Sequence, residues 1–307
     1  MSSVSQDSKV KSWKNPVIIK EIRTRMRGNR AFSLFFLHLV VLGVLVSLVY
    51  LVFRSSMTSA NALESRQYFG KAIFGLIFWM EMVTVSFVAP ALTSGGISTE
   101  RERQTYEILR VTPLPIRSLV FGKFLSGLVF ILLLLFTSIP LQSPAFLVGG
   151  VRIEEIIIST LILIITAITF CAVGIFFSSL FPRTLISSVL SYAVAIFLVF
   201  GIPMIALIIL SLFSALLGDT YSTISPLVQA LLILSGWLFV SITPLGTIVS
   251  TEIVLLEQHN PYFVSIPLGE GIRISLLSPW IPYLFVYFLL SIFLLWLSIQ
   301  FTKRIED

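Results

Sequence analysis

Two carboxylates stand where a chain this apolar has little reason to keep a charge. Glu81 is the only charged residue between 72 and 94, and Glu252 is the only one between 227 and 256. An ionisable side chain inside a bilayer is costly unless it pairs, faces a wet cavity or gives up its charge. Glu81 therefore admits two roles. It is a polar point on a solute path or a protonation switch, or it is a protonated or hydrogen-bonded group that locks two helices together. Glu252 poses the same choice nearer the outer surface.

Other chemistry finds few residues to work with. The two histidines, His38 and His259, are far apart, and the single cysteine, Cys171, lies inside an apolar run. No spacing of His, Cys and acidic residues suits a metal, and no disulfide can form within the chain. A nucleotide-cradling loop needs G-x-x-x-x-G-K-[ST], and Gly70-Lys71 and Gly122-Lys123 lack both the upstream glycine and the following Ser or Thr. No Ser, His and acidic set has suggestive surroundings. The chain is read as a non-enzyme that binds no cofactor and no metal of its own. His38 and Cys171 read as packing residues.

The densest charge is "GGISTERERQTYEILRVTPLP", residues 95–115, with apolar runs on both sides. Thr99 and Glu102 have the spacing of a capping box, and Pro113 and Pro115 stop a helix by about Val111. At 100° per residue, Thr105, Ile108, Leu109 and Thr112 share one face, and Glu100, Arg103, Gln104 and Glu107 the other. Arg103 and Glu107 sit at i,i+4 and Glu100 and Arg103 at i,i+3, so the charges also pair along the helix. Such a helix docks on a membrane or a partner, or it is a solvated connector. The stretch "WKNPVIIKEIRTRMRGNR", residues 13–30, is similar. Val17, Ile18, Ile22 and Met26 approximate one apolar face. Lys20, Arg23, Arg25 and Arg27 give a basic remainder suited to anionic lipid headgroups.

The elements that must position these residues are membrane spans. Of 307 residues 56% are hydrophobic and 12% charged, with a mean hydropathy of +0.99. A soluble domain carries about 25% charged residues. About 20 residues of helix cross a bilayer, which gives six spans near 31–53, 72–94, 124–141, 156–180, 185–212 and 282–301. The motif Gly201-Ile202-Pro203 is expected to kink the fifth. Residues 227–256 contain Gly236, Pro244 and Gly246 and read as a full span or as two half-helices that enter and return, and the charge count favours a re-entrant or partly inserted outer segment. The fold class is all-α: one polytopic helical membrane domain over 1–307, without repeats. The net charge of +6 reports orientation, and no nucleic-acid role is assigned. With both termini cytoplasmic, 16 of the 21 Lys and Arg lie inside, as the positive-inside tendency asks. The first 30 residues lack a signal-peptide pattern, so the first span is read as uncleaved.

Three features together resemble the membrane subunits of ABC transporters of the ABC-2 type. They are "NPVIIKEIRTRMRG" before the first span, "PALTSGGISTERERQTYEILRVTPLPIRSLVFGKF" at 90–124 joining the second and third spans, and six spans with a partly inserted segment before the last. The resemblance implies a permease, an exporter by family habit, in the cell inner (plasma) membrane. It implies a coupling helix at 98–112 that seats in a separate ATP-binding cassette subunit, with Thr99, Glu100, Arg101, Glu102, Arg103, Glu107 and Arg110 as contact residues. ATP and Mg are then expected on that partner. Two permeases, identical or not, are expected to pair. Two other classes stay open on the residues alone: a proton-coupled secondary transporter using Glu81, and a non-transporting membrane assembly protein.

Overall fold

The computed structural model describes residues 16–54, 62–105, 115–217, 226–258, 260–267 and 273–304. Helix α1 (Pro16–Met26) runs into α2 (Asn29–Phe53) through Gly28, whose φ of +130° is one that side-chain-bearing residues rarely adopt. Then follow α3 (Ala62–Thr93), the short α4 (Ser98–Glu102), α5 (Ile116–Val148) and α6 (Ile153–Leu180). The chain continues as α7 (Thr184–Ile196), a π-turn (Phe197–Gly201) and α8 (Ile202–Leu217). Next come α9 (Pro226–Ile242), α10 (Pro244–Gln258), strands β1 (Phe263–Pro267) and β2 (Arg273–Leu277), and α11 (Trp280–Arg304). Six helices among the described residues are long and apolar enough to cross a membrane, as the sequence leads one to expect. The third starts earlier and ends later than the 124–141 read from hydropathy. Its Pro144 has no N–H for the carbonyl of Pro140, and the Ser143 hydroxyl donates to that oxygen at 2.7 Å. At Gly201-Ile202-Pro203, where a kink was expected, the span runs on without a break of more than 40°, and a π-turn over Phe197–Gly201 interrupts its helical period.

Helix α6 is the centre of the bundle, packed against α3, α5, α7 and α11. Thr166 and Tyr283 share a hydroxyl bond at 2.7 Å, and Thr169 bonds Ser291 at 2.8 Å, which zips α6 to α11 in parallel. The same pairing sets Phe176 against Phe301 at the far end, so both helices run in the same direction. Six crossings bring α1 and the end of α11 to one end of the bundle. That end also carries α4 and, among the described basic residues, most of the Lys and Arg.

Helices α9 and α10 meet at Thr243 with a bend of 116°, so the second turns back toward the side from which the first came. Broken backbone at membrane depth must find partners inside the protein. Here it does: Tyr287 Oη donates to Ile242 O at 2.9 Å. Thr247 Oγ1 lies 3.2 Å from both Val240 O and Ser241 O, and Gly246 N donates to Thr243 Oγ1 at 3.1 Å. Tyr287 is seven residues beyond Trp280, the start of α11. At 1.5 Å per residue the bend lies about 10 Å along α11 from that end. A break of 116° within an apolar segment is the geometry of a broken span or a re-entrant loop. After it, β1 and β2 form an antiparallel pair with Phe263 opposite Leu277, an element the hydropathy pattern does not announce.

The buried Tyr287 hydroxyl donates to the carbonyl of Ile242. Tyr287→Phe should destabilise the protein by about 1 kcal/mol, the net contribution of one such hydrogen bond. Thermal unfolding in nanodiscs should show a lower midpoint, with faster amide exchange confined to 240–247.

Candidate functional site

The charged end of the bundle is a network and not a free connector. The turn between α3 and α4 is pressed onto α6. A methyl group on Gly174 would overlap Thr93 Oγ1 and lie 3.1 Å from Ser94 N, and Gly127 of α5 faces the same threonine. Small residues at such crossings let membrane helices approach closely. The first amides of α4 are capped from a distance: Ile97 N and Ser98 N donate to Ser178 Oγ of α6 at 2.7 and 3.0 Å. The expected capping box between Thr99 and Glu102 does not form, because Ile97 is the N-cap and Thr99 lies inside the helix without a side-chain cap bond.

The helix is also shorter than its sequence pattern. It ends at Glu102, and Gln104 takes a left-handed φ of +57°. Residues 106–114, with Glu107 and Arg110, lie outside the described residues. Glu100 does not sit on a solvated face or pair with Arg103. It turns inward to Lys123 Nζ at 3.1 Å and accepts from Thr105 Oγ1 at 2.6 Å. Lys123 is only 5% exposed, and it also faces Glu21 of α1 at 3.6 Å. Partial burial pushes the Glu100 carboxyl up, yet the Thr105 hydroxyl and the Lys123 ammonium outweigh it and hold the group below the ordinary carboxylate range.

The next two residues reach the α6–α7 junction. Arg101 Nη1 donates to Ser179 O at 3.3 Å, among the last carbonyls of α6. Glu102 Oε2 accepts from Thr184 Oγ1 at 2.6 Å and from Thr184 N at 3.2 Å. These two bonds hold the Glu102 carboxyl below its usual value. Arg103 and Gln104 are exposed. Lys20 and Arg23 of α1 and Arg27 just after it are exposed, whereas Arg25 bends back, donating to Leu92 O at 2.8 Å beside Glu21. The basic face predicted for that helix thus loses one member to the protein interior.

Glu81 is 2% exposed and ties α3 to α5. Ser138 Oγ donates to its Oε1, and Gln142 Nε2 does so at 3.1 Å. Ser138 and Gln142 are one helical turn apart, a spacing legible in the sequence once the partner helix is known. Glu252 is half-buried on α10, and the buried Glu155 of α6 and Lys71 of α3 are the charges that act on it. Cys171 is fully buried, and His38 is buried with no partner for Nε2. Among the described residues no group of three His, Cys, Asp or Glu converges on a metal-sized site. A concavity between α1 and α5 beside Arg25 and Ser126 has no room for a water-sized solute.

Lys123, Ser178, Thr184 and Gly174 are the residues that sequence reading missed. Lys123 registers there only as a topogenic charge. The pair Ser178-Ser179 and Thr184 flank Phe181-Pro182-Arg183 without a local pattern to mark them.

Comparison with curated proteins finds no match to the sequence. The model of one family, described as ABC-2 family transporter protein, matches residues 15–302. That span takes in α1, the α4 network, the bent pair α9–α10 and all six crossings, so the chain belongs to the ABC-2 transporter family and is a multi-pass membrane permease of an ABC transporter.

Proposed function

We propose that α4 is the point where a separate ATP-binding subunit engages this permease, and that the charged end of the bundle faces the cytoplasm. One observation carries the reading. Helix α4 is bound through named side chains to α5, α6 and α7, while its trailing edge at Arg103 and Gln104 stays exposed. A partner seated there moves the spans and not a loose loop. The basic residues gathered at this end support the orientation, and the exposed Lys20 and Arg23 of α1 and Arg27 just after it support contact with anionic headgroups.

ATP and Mg belong to the partner in this reading. The permease pairs with a second copy or a related chain, and solute leaves the cell along the surface between them. Support comes from the first and fifth spans, each with only 11% of its apolar window buried. Glu81 then serves as a lock between the second and third spans, because both of its polar neighbours are donors on α5.

The test is recovery of the ATPase with the permease from native membranes. Arg103→Glu should weaken that recovery about tenfold, near 1.4 kcal/mol, a modest effect suited to an interface charge. Glu154→Lys at the opposite end should leave it unchanged, since Glu154 is exposed there. Absence of any cassette ATPase from the parent complex, or equal recovery with Arg103→Glu, defeats the proposal.

A further inference from the structure

The fifth span starts in an unfavourable way. Its N-cap position is Arg183, which makes no side-chain cap bond. A cation there opposes the helix dipole, and arginine has no acceptor to offer the first amides. The missing acceptor arrives from another element: Glu102 of α4 takes both the amide and the hydroxyl of Thr184. Its neighbour Arg101 meets the carbonyl of Ser179 at the end of the fourth span. Consecutive residues of α4 thus hold both sides of the turn between α6 and α7, each with the charge that suits its helix end.

The two helices differ in how firmly they are otherwise fixed. The apolar window of α6 is 61% buried, and that of the fifth span is 11% buried. The other polar ties from the α3–α4 segment to the fifth span also lie near its start. Ser187 Oγ donates to Ser94 O at 2.7 Å, and Ser94 and Ser188 share a hydroxyl bond at 2.9 Å. Beyond them the span presents Val189, Ile196, Phe197 and Phe200 outward and breaks its helical period at the π-turn. Ser191, Ala195 and Val199 keep one face of it buried, and a helix tied by polar bonds at one end, packed on a single face and interrupted midway follows whatever moves its tied end.

We infer that Glu102 is a positioning residue that couples α4 to the fifth span, capping Thr184 from outside so that displacement of α4 carries that span and leaves the fourth in place. The inference rests on α4 being the ATPase contact, and it adds which span is driven and through which atoms.

The experiment uses the permease with its ATPase in nanodiscs. Spin labels go on Met204 beyond the π-turn and on Leu161 of α6, both exposed. The distance between them is measured without nucleotide and with ATP trapped by vanadate. The parent should show a nucleotide-dependent shift. Glu102→Ala should abolish it with the ATPase still bound, and Glu102→Gln, which keeps an acceptor for Thr184, should restore most of it. A charge needed only for ATPase contact would make the Gln and Ala variants alike, and that result overturns the inference. So does a full shift in Glu102→Ala, or loss of the ATPase from that variant, which would make Glu102 a contact residue and leave the proposed function standing. If the parent complex holds no ATPase, the proposed function fails and the inference with it.

Discussion

Lys123→Ala should destabilise the charged end of the bundle by roughly 3 kcal/mol, at the low end of the range for removing one partner of a buried charge pair. Lys123 is nearly buried and serves Glu21 and Glu100, whose side chains are 24% and 29% exposed. Without it two partly buried carboxylates face each other with no cation between them. The pH dependence should move as well. In the parent, Glu100 has a depressed folded value, so its contribution is present above the ordinary carboxylate value of about 4.3 and is lost as pH falls through the folded one. In Lys123→Ala the upward push of burial is opposed mainly by Thr105. Protonation of Glu100 then begins at higher pH, and the acid limb of a stability profile shifts toward neutrality. The double variant Lys123→Met with Glu100→Gln should recover part of the loss, because the apolar stem is kept and one carboxylate is gone. Thermal unfolding in nanodiscs across pH reads both effects. Full recovery by Lys123→Met alone, with both carboxylates in place, would show that the lysine acts by packing alone.

Gly174→Ala should cost about 3 kcal/mol, the upper part of the usual range for overpacking. The added carbon would meet the side chain of Thr93 and the backbone nitrogen of Ser94, and backbone cannot rotate away. Gly127→Ala should cost less, since its nearest obstacle is a Thr93 methyl group at 2.7 Å. Thr93→Ala should relieve Gly127→Ala nearly completely and Gly174→Ala only in part. Ser94 leads directly into α4, so the Gly174 variant should also lower ATPase stimulation by the permease out of proportion to its stability. Denaturation midpoints and hydrolysis rates of the assembled complex check the order. Equal losses at the two glycines would contradict the geometry.

The spans were legible because bilayer thickness fixes their length, and the break between α9 and α10 because Gly236, Pro244 and Gly246 interrupt an apolar run of spanning length. Which spans form the core was not legible. The fourth and fifth have the same hydropathy, 2.7, yet the buried share of their apolar windows differs more than fivefold, 61% against 11%. A span in lipid is apolar on every side, so periodicity does not say which side meets protein. At α4 the reading failed for a related reason. It assigned the cap to Thr99 and the pairing of Glu100 to Arg103, because local rules see only neighbours in sequence. The partners are Ser178, Thr184 and Lys123, from 20 to more than 80 positions away. Glu81 was recognisable as an anomaly, but Ser138 and Gln142 become its partners only when α3 lies on α5.

Because α4 receives its cap from Ser178 and gives one to Thr184, it is not a portable part. A hybrid permease that takes residues 95–105 from a relative, with the host's spans left as they are, would bring a helix whose first amides and last carboxylate meet strangers. The exchangeable unit is discontinuous: the turn must travel with Ser178, Thr184 and Lys123. Attempts to retarget this permease to a different ATPase should therefore transplant those positions together.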